Sequence, residues 1–187
     1  MKAIQTEYNG YKFRSRLEAR WAVFFSSLGI NWLYEHEGFD ISDGEYYLPD
    51  FYLPDIPFMY GDKGCYIEVK SSNNTNDDKW KRFGYKSDIP IMLVTGIPYQ
   101  NPHDCPNISK DVYNDVCYWF IKKECSDGPY LFCECNICNK IGLQFDGRAG
   151  RNCNCTKSDK NYGYNTLRIQ NAYKMARQAR FEHGEVG

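Results

Sequence analysis

The sequence predicts an α/β protein: a mixed sheet flanked by helices, followed by a small cysteine-held module and a closing helix. Three observations carry that expectation. Near the start, Leu17, Trp21, Phe24, Phe25 and Leu28 recur at helical spacing. Short apolar runs bounded by turn residues then follow in the order three strands, helix, strand. Further on, five of the nine cysteines crowd between Cys133 and Cys155.

Each element has a local reason. Ser15 can cap the first helix, which runs to about Leu28, with Glu18 at the third helical position as in a capping box and Gly29 as the stop. Trp32–Glu35 reads as a strand. Asp43-Gly44 is a tight-turn signal leading into a strand over Tyr46–Leu53, which Pro54-Asp55-Ile56-Pro57 ends. Gly64 precedes a strand over Cys65–Lys70. After the polar stretch Asn73–Asp78 a short helix is expected over Asp78–Tyr85, then a buried strand Ile91–Thr95 closed by Gly96. Val112–Lys123 fits either a helix or a strand. The final helix starts at Asn165 or Thr166 and turns Ile169, Ala172, Tyr173, Ala176 and Ala179 to one face. The chain thus divides into a core over residues 1–130, a cysteine module over 131–157 and a basic helical tail over 158–187.

Composition narrows the function. A chain of 187 residues that is 42% hydrophobic and 17% aromatic can bury a sizeable core and is not of the disordered class. Its longest apolar runs, such as Ile89–Val94, are too short to span a bilayer, and its first residues lack the apolar stretch of a secretory signal. The expectation is a soluble, cytoplasmic protein with no membrane partner. The net charge of -1 carries no overall sign of nucleic-acid binding, but its distribution does. Lys2, Lys12, Arg14, Arg16 and Arg20 mark one end, and Arg168, Lys174, Arg177 and Arg180 the other, around an acidic centre from Glu35 to Asp62. Such a pattern suits gripping phosphates around a bound cation; a solvated face would give it too.

Chemistry concentrates at Pro49-Asp50 and Glu68-Val69-Lys70. Residues two apart share a strand face, so Glu68 and Lys70 point one way while Ile67 and Val69 point into the core. A hairpin would bring Asp50 beside Glu68. Two carboxylates and the Val69 carbonyl offer oxygen ligands for Mg2+ or Mn2+, with water and phosphate completing the shell. Lys70 can then lower the pKa of an attacking water or stabilise charge developing on phosphorus. Asp55 competes for the aspartate role, but its proline-flanked turn favours bonds to its own backbone.

This combination, following a helix that bears Glu18, resembles the PD-(D/E)xK nuclease superfamily over about residues 10–96. The segment Tyr11–Trp21 is similar to the opening helix of phage and bacterial members, among them the N-terminal nuclease domain of Tn7-type transposition endonucleases. The resemblance implies a restriction-endonuclease-like fold and Mg2+-dependent cleavage of DNA, less often RNA, in a bacterial or phage-infected cytoplasm. It matches Asp50, Glu68 and Lys70 to the superfamily's aspartate, glutamate and lysine, and it implies an active-site, metal-binding place for Glu18. Helix capping or an ion pair with Arg14 explains Glu18 as well. Arg14, Arg16 and Arg20, with Lys174, Arg177 and Arg180 on the last helix, are candidates for phosphate contacts. His36, His103 and His183 are scattered and receive no role.

Cys135-x-x-Cys138 and Cys153-x-Cys155 form two short knuckles separated by fourteen residues. Two thiolate pairs make a tetrahedral site suited to structural Zn2+, and Leu143–Gly147 between them reads as a strand and turn, so the module looks like a zinc ribbon. Cys133 is an alternative to Cys135. Cys65, Cys105, Cys117 and Cys125 read as small core residues. The ribbon would position nucleic acid, or serve a homodimer or partner-protein contact. Two rival readings remain: a catalytically silent module that binds nucleic acid or a protein complex, and a thiol-based redox or metal-sensing protein. Buried like charges without a cation to hold would count against the first.

Overall fold

The structure is a computed structural model that describes residues 6–42, 44–58, 62–71, 78–99, 119–122, 125–127, 130–145, 153, 155 and 163–181. The chain opens with a hairpin of β1 (Thr6–Tyr8) and β2 (Tyr11–Phe13), then helix α1 (Arg16–Leu28) and β3 (Leu33–Tyr34). A second hairpin, β4 (Phe39–Ser42) and β5 (Glu45–Tyr47), precedes β6 (Phe51–Phe58), β7 (Asp62–Lys70), α2 (Lys79–Lys86) and β8 (Ile91–Thr95). After β9 (Trp119–Lys122) and β10 (Cys125–Asp127) come a third hairpin, β11 (Tyr130–Glu134) and β12 (Ile141–Phe145), and helix α3 (Leu167–Gln178). The fold is mixed α/β. Among the described residues its main sheet has six strands in the order β10-β9-β8-β7-β6-β3, and the three hairpins form two-stranded sheets of their own.

Helix α1 follows its caps. The Ser15 Oγ accepts the Glu18 N–H at 3.2 Å, and Gly29 ends the helix at φ 69, a left-handed conformation that costs glycine little. Thr166 caps α3 through the Ile169 N–H. Parallel pairing of β7 with β8 requires a crossover, and α2 lies in that connection.

Two expectations needed revision, and a third that was open is settled in part. The run Tyr46–Leu53 is not one strand: β5 ends at Tyr47 in the small hairpin and β6 starts at Phe51 in the main sheet. Pro49 has no N–H and biases the residue before it, so the chain changes sheets there. Conversely, Pro54 and Pro57 do not end β6. They lie where its register with β7 shifts, beyond the two residues, Phe51 and Tyr52, that pair with β3. Of Val112–Lys123, Trp119–Lys122 is strand, antiparallel to β8; residues 112–118 lie outside the described residues.

Alternation along β7 and β8 divides the interior into two layers. Cys65, Ile67, Val69, Met92 and Val94 face α1, while Tyr66, Ile91 and Leu93 face α2 and the β4–β5 hairpin. The first layer is the larger, and α1 is its hub. Phe24 stacks on Tyr173 of α3 at 4.4 Å between centroids and meets Phe132 of β11 edge-on at 5.1 Å. Each fully buried Phe contributes about 1.5–3 kcal/mol. One apolar core therefore runs through all three segments read from the sequence. Among the described residues no helix is long and apolar enough to cross a membrane.

Candidate functional site

Four loop and strand ends converge on one cleft of about 420 Å3. Arg14 stands before α1, Glu18 in its first turn, Asp50 in the bend before β6, and Glu68 and Lys70 at the end of β7. Asp50 and Glu68 are each 5% exposed, so their charges need partners. Asp50 Oδ2 accepts the Val69 N–H at 2.8 Å, and Oδ1 meets Arg14 Nη2 at 2.9 Å. Glu68 Oε1 pairs with Lys70 Nζ at 2.6 Å, while Tyr47 donates its hydroxyl to Oε2 at 2.5 Å. Glu18 accepts from Tyr34 Oη at 2.6 Å, from Ser15 Oγ at 2.7 Å and from the Arg14 N–H at 3.1 Å. Its carboxylate is thus turned towards the cleft as well as towards the cap.

The surroundings disfavour the Asp50 anion. Burial, then the charges of Glu68 and Glu18, hold the Asp50 carboxyl well above the usual carboxylate range, against the pull of the Val69 N–H and Arg14. Arg14 is itself shared, since its Nε lies 2.6 Å from Glu35 Oε1. Lys79, also in the lining, is paired with Glu45 at 2.9 Å. Asp50, Glu68 and Glu18 therefore share a cleft in which Arg14 meets Asp50 and Lys70 meets Glu68. Asp55 stands apart: it is exposed and accepts from Asn31 Nδ2 at 2.8 Å.

Neither family models, curated proteins nor solved structures match the chain.

Two tyrosines and a glutamate of this site were not legible as such. In an unbroken strand over Tyr46–Leu53, Tyr46 shares a face with Asp50 and Tyr47 does not. The break at Leu48–Asp50 reverses that parity and delivers Tyr47 to Glu68. Glu35 adopts φ 45, and its N–H bonds the Asp50 carbonyl at 2.9 Å, which swings its side chain to Arg14. Nothing in the local pattern signals that conformation. Tyr34 reaches Glu18 from β3, whose place follows from its pairing with β6, a long-range contact that no local pattern records.

The basic residues divide. Arg16, Arg20, Arg177 and Arg180 border a second cleft of about 710 Å3 where α1 meets the end of α3. Arg20 also donates to the Ala176 carbonyl at 2.7 Å, so part of its task is to hold the last turn of α3. Arg177 lies 4.7 Å over the Tyr99 ring. Lys174 is exposed on α3, outside both linings. Of the histidines, His36 stacks on Tyr52 at 6.0 Å, and His103 and His183 lie outside the described residues.

The Sγ atoms of Cys135, Cys138, Cys153 and Cys155 all lie within 4.8 Å of one another. Tetrahedral Zn–S bonds of about 2.3 Å place sulfurs about 3.8 Å apart, so the four can close on one ion such as zinc. The first knuckle is a tight turn: Cys135 donates its N–H to Lys140, and Asn139, at φ 58, donates back to Cys135. Burial alone would raise the Cys135 thiol, but the N–H groups of Cys138 and Ile137 and its cysteine neighbours bring it down to about 7. Burial pushes the Cys153 thiol up to about 12. Cys133 settles its alternative differently, since it is buried in β11 with Sγ 3.6 Å from the Gly142 carbonyl, outside the cluster. Cys65 is a buried core thiol as expected. Cys105, Cys117 and the Cys125 side chain lie outside the described residues.

Proposed function

We propose that the chain is a metal-dependent endonuclease of the PD-(D/E)xK type that hydrolyses phosphodiester bonds of DNA. The observation that carries this reading is the convergence of Asp50, Glu68, Glu18 and Lys70 on one cleft, with the Asp50 carboxyl raised by burial and then by the neighbouring carboxylates. Carboxylate and carbonyl oxygens lining one cleft are the donor type that suits a hard divalent cation. Asp50, Glu68, Glu18 and the Val69 carbonyl would hold Mg2+ or Mn2+. Such an ion supplies Lewis-acid polarisation of the phosphoryl oxygen and a more acidic bound water.

The remaining work falls to side chains. Tyr47 holds Glu68 Oε2, which fixes the rotamer and leaves Oε1 facing Lys70. The Lys70 ammonium would lower the pKa of the attacking water or stabilise the charge that develops on phosphorus. Tyr34 and Ser15 orient Glu18. The Arg14 guanidinium can turn its fork from Asp50 to a substrate phosphate. Arg16, Arg20, Arg177 and Arg180, with Lys174 beyond them, would track the flanking backbone. The four cysteines would hold a structural Zn2+, which needs reduced thiolates and agrees with a cytoplasmic setting, bacterial or phage-infected. A homodimer or a partner protein would add contacts to the same basic face.

Purified protein is expected to cleave plasmid or branched DNA with Mg2+ or Mn2+, reversibly stopped by EDTA. Glu68→Ala or Lys70→Ala should lower the rate by about 100-fold or more. Full activity in both variants would sink the site assignment. DNA binding without cleavage across both metals would mark a catalytically silent binding module instead.

A further inference from the structure

Among the described residues, the large apolar side chains that stand exposed include two that line the carboxylate cleft: Tyr46, 70% exposed, and Leu48, 37% exposed. Strand alternation explains their position. Tyr47 turns inward to Phe83 and Glu68, so its neighbour Tyr46 turns outward, and Leu48 follows as the chain leaves β5 for β6. The result is an apolar rim on one wall of the cleft, with the Arg14 guanidinium on the lining as well and the carboxylates recessed at the floor.

Recession and rim together select a substrate. Tyr46 and Leu48 line the same cleft as Asp50 and Glu68, so a base next to a phosphate seated there comes within reach of the exposed ring. In continuous duplex the bases on either side are paired and stacked, and extracting one costs a few kcal/mol. A nucleotide that is already unpaired avoids that cost, and its base can swing onto the exposed ring. Resting on the nuclease reading above, we propose that the cleft acts on DNA with an unpaired nucleotide beside the scissile phosphate, and that Tyr46 stacks on that base. Stacking of this kind tolerates any sequence, since every base presents a π-face. Tyr46 is thereby a specificity residue rather than a catalytic one.

The test uses the full chain and matched DNAs of one sequence: duplex, single strand and a fork carrying 2-aminopurine at the unpaired position next to the junction. Binding is followed by fluorescence with Ca2+ in place of Mg2+, and cleavage separately with Mg2+. Wild type should prefer the fork and single strand and quench the 2-aminopurine. Tyr46→Ala should abolish the quench and weaken fork and single-strand binding on the order of 10- to 100-fold, with duplex binding unchanged. Tyr46→Phe should behave as wild type. Equal loss on all three DNAs, no loss, or a wild-type preference for duplex overturns the proposal while Mg2+-dependent cleavage leaves the nuclease reading standing. If no DNA of the panel is bound or cut, the nuclease reading falls and the stacking role falls with it.

Discussion

At Glu68 the two carboxylate oxygens have different partners, and the difference predicts how each neighbour fails. Oε1 faces Lys70 at 2.6 Å; Oε2 takes the Tyr47 hydroxyl at 2.5 Å inside a buried layer. Removing only that hydroxyl, in Tyr47→Phe, keeps the ring against Phe83 and leaves a buried carboxylate oxygen without its donor. A hydrogen bond to a charged group is worth about 1.5–3 kcal/mol. Denaturant melts of Tyr47→Phe should show a loss of that size, with kcat falling and KM for DNA held. Asp50 differs in sign. Its folded pKa lies above its ordinary value, so between those two pH values the folded chain binds more protons than the unfolded one. Stability in chelator should thus be fullest below the ordinary carboxylate range and fall as pH rises through the folded pKa. Asp50→Asn, which cannot ionise, should flatten that fall and melt higher than wild type at neutral pH while losing cleavage. A wild-type stability that rises across that window would show that the crowding of Asp50 is not the dominant charge effect.

At the scale of elements, local signals were legible and sheet changes were not. Helix α1 is written in Ser15, Gly29 and the spacing of Trp21, Phe24, Phe25 and Leu28, all within one segment, and the helix forms over Arg16–Leu28. Glu68 and Lys70 were legible for the same reason, since period-two alternation is a property of β7 alone. The division of Tyr46–Leu53 between β5 and β6 depends on which sheet each half finds, and no residue in the run records that except Pro49. That is why Tyr47 was missed while Asp50 was found. The pairing of β9 with β8 is likewise long-range. The α1 N-terminus also makes a prediction, because Ser15 acts twice: it accepts the Glu18 N–H and donates to the Glu18 carboxylate. Ser15→Ala removes both, at a cost of about 1 kcal/mol for the cap. Cleavage should fall more than this small stability loss explains, because Glu18 keeps Tyr34 and the Arg14 N–H but loses the Ser15 hydroxyl. Ser15→Asp should retain the cap yet set a further negative charge beside Glu18, and measured Mn2+ affinity should separate the two variants. Equal cleavage by all three proteins would confine Ser15 to capping.

At the scale of the molecule the cysteine module is not an appendage. Tyr130, Phe132 and Leu143 of the β11–β12 hairpin belong to the same core as Trp21, Phe24 and Phe25 of α1 and Tyr173 of α3. Arg168 fastens the same junction, donating to Glu134 Oε1 at 3.1 Å, the Asn139 carbonyl at 3.0 Å and the Leu28 carbonyl at the end of α1. Loosening the knuckles would therefore free the hairpin that covers α1, the helix that carries Glu18. A metal ion such as zinc, held by the four cysteines, would bind the folded cluster and lend part of its binding energy to folding. In a chain of 187 residues about 1 kcal/mol moves Tm by about 2–4 °C, so losing several kcal/mol on chelation should lower Tm by roughly 10 °C or more. Because the core is continuous, the fall should appear as one transition, the same by tryptophan fluorescence and by far-ultraviolet circular dichroism. Cys135→Ser should reproduce it, and metal analysis should find about one tightly held zinc per chain in wild type and less in the variant. Two separate transitions, with Mg2+-dependent cleavage surviving the first, would mean that the cysteine module melts alone and that α1 holds its place without it.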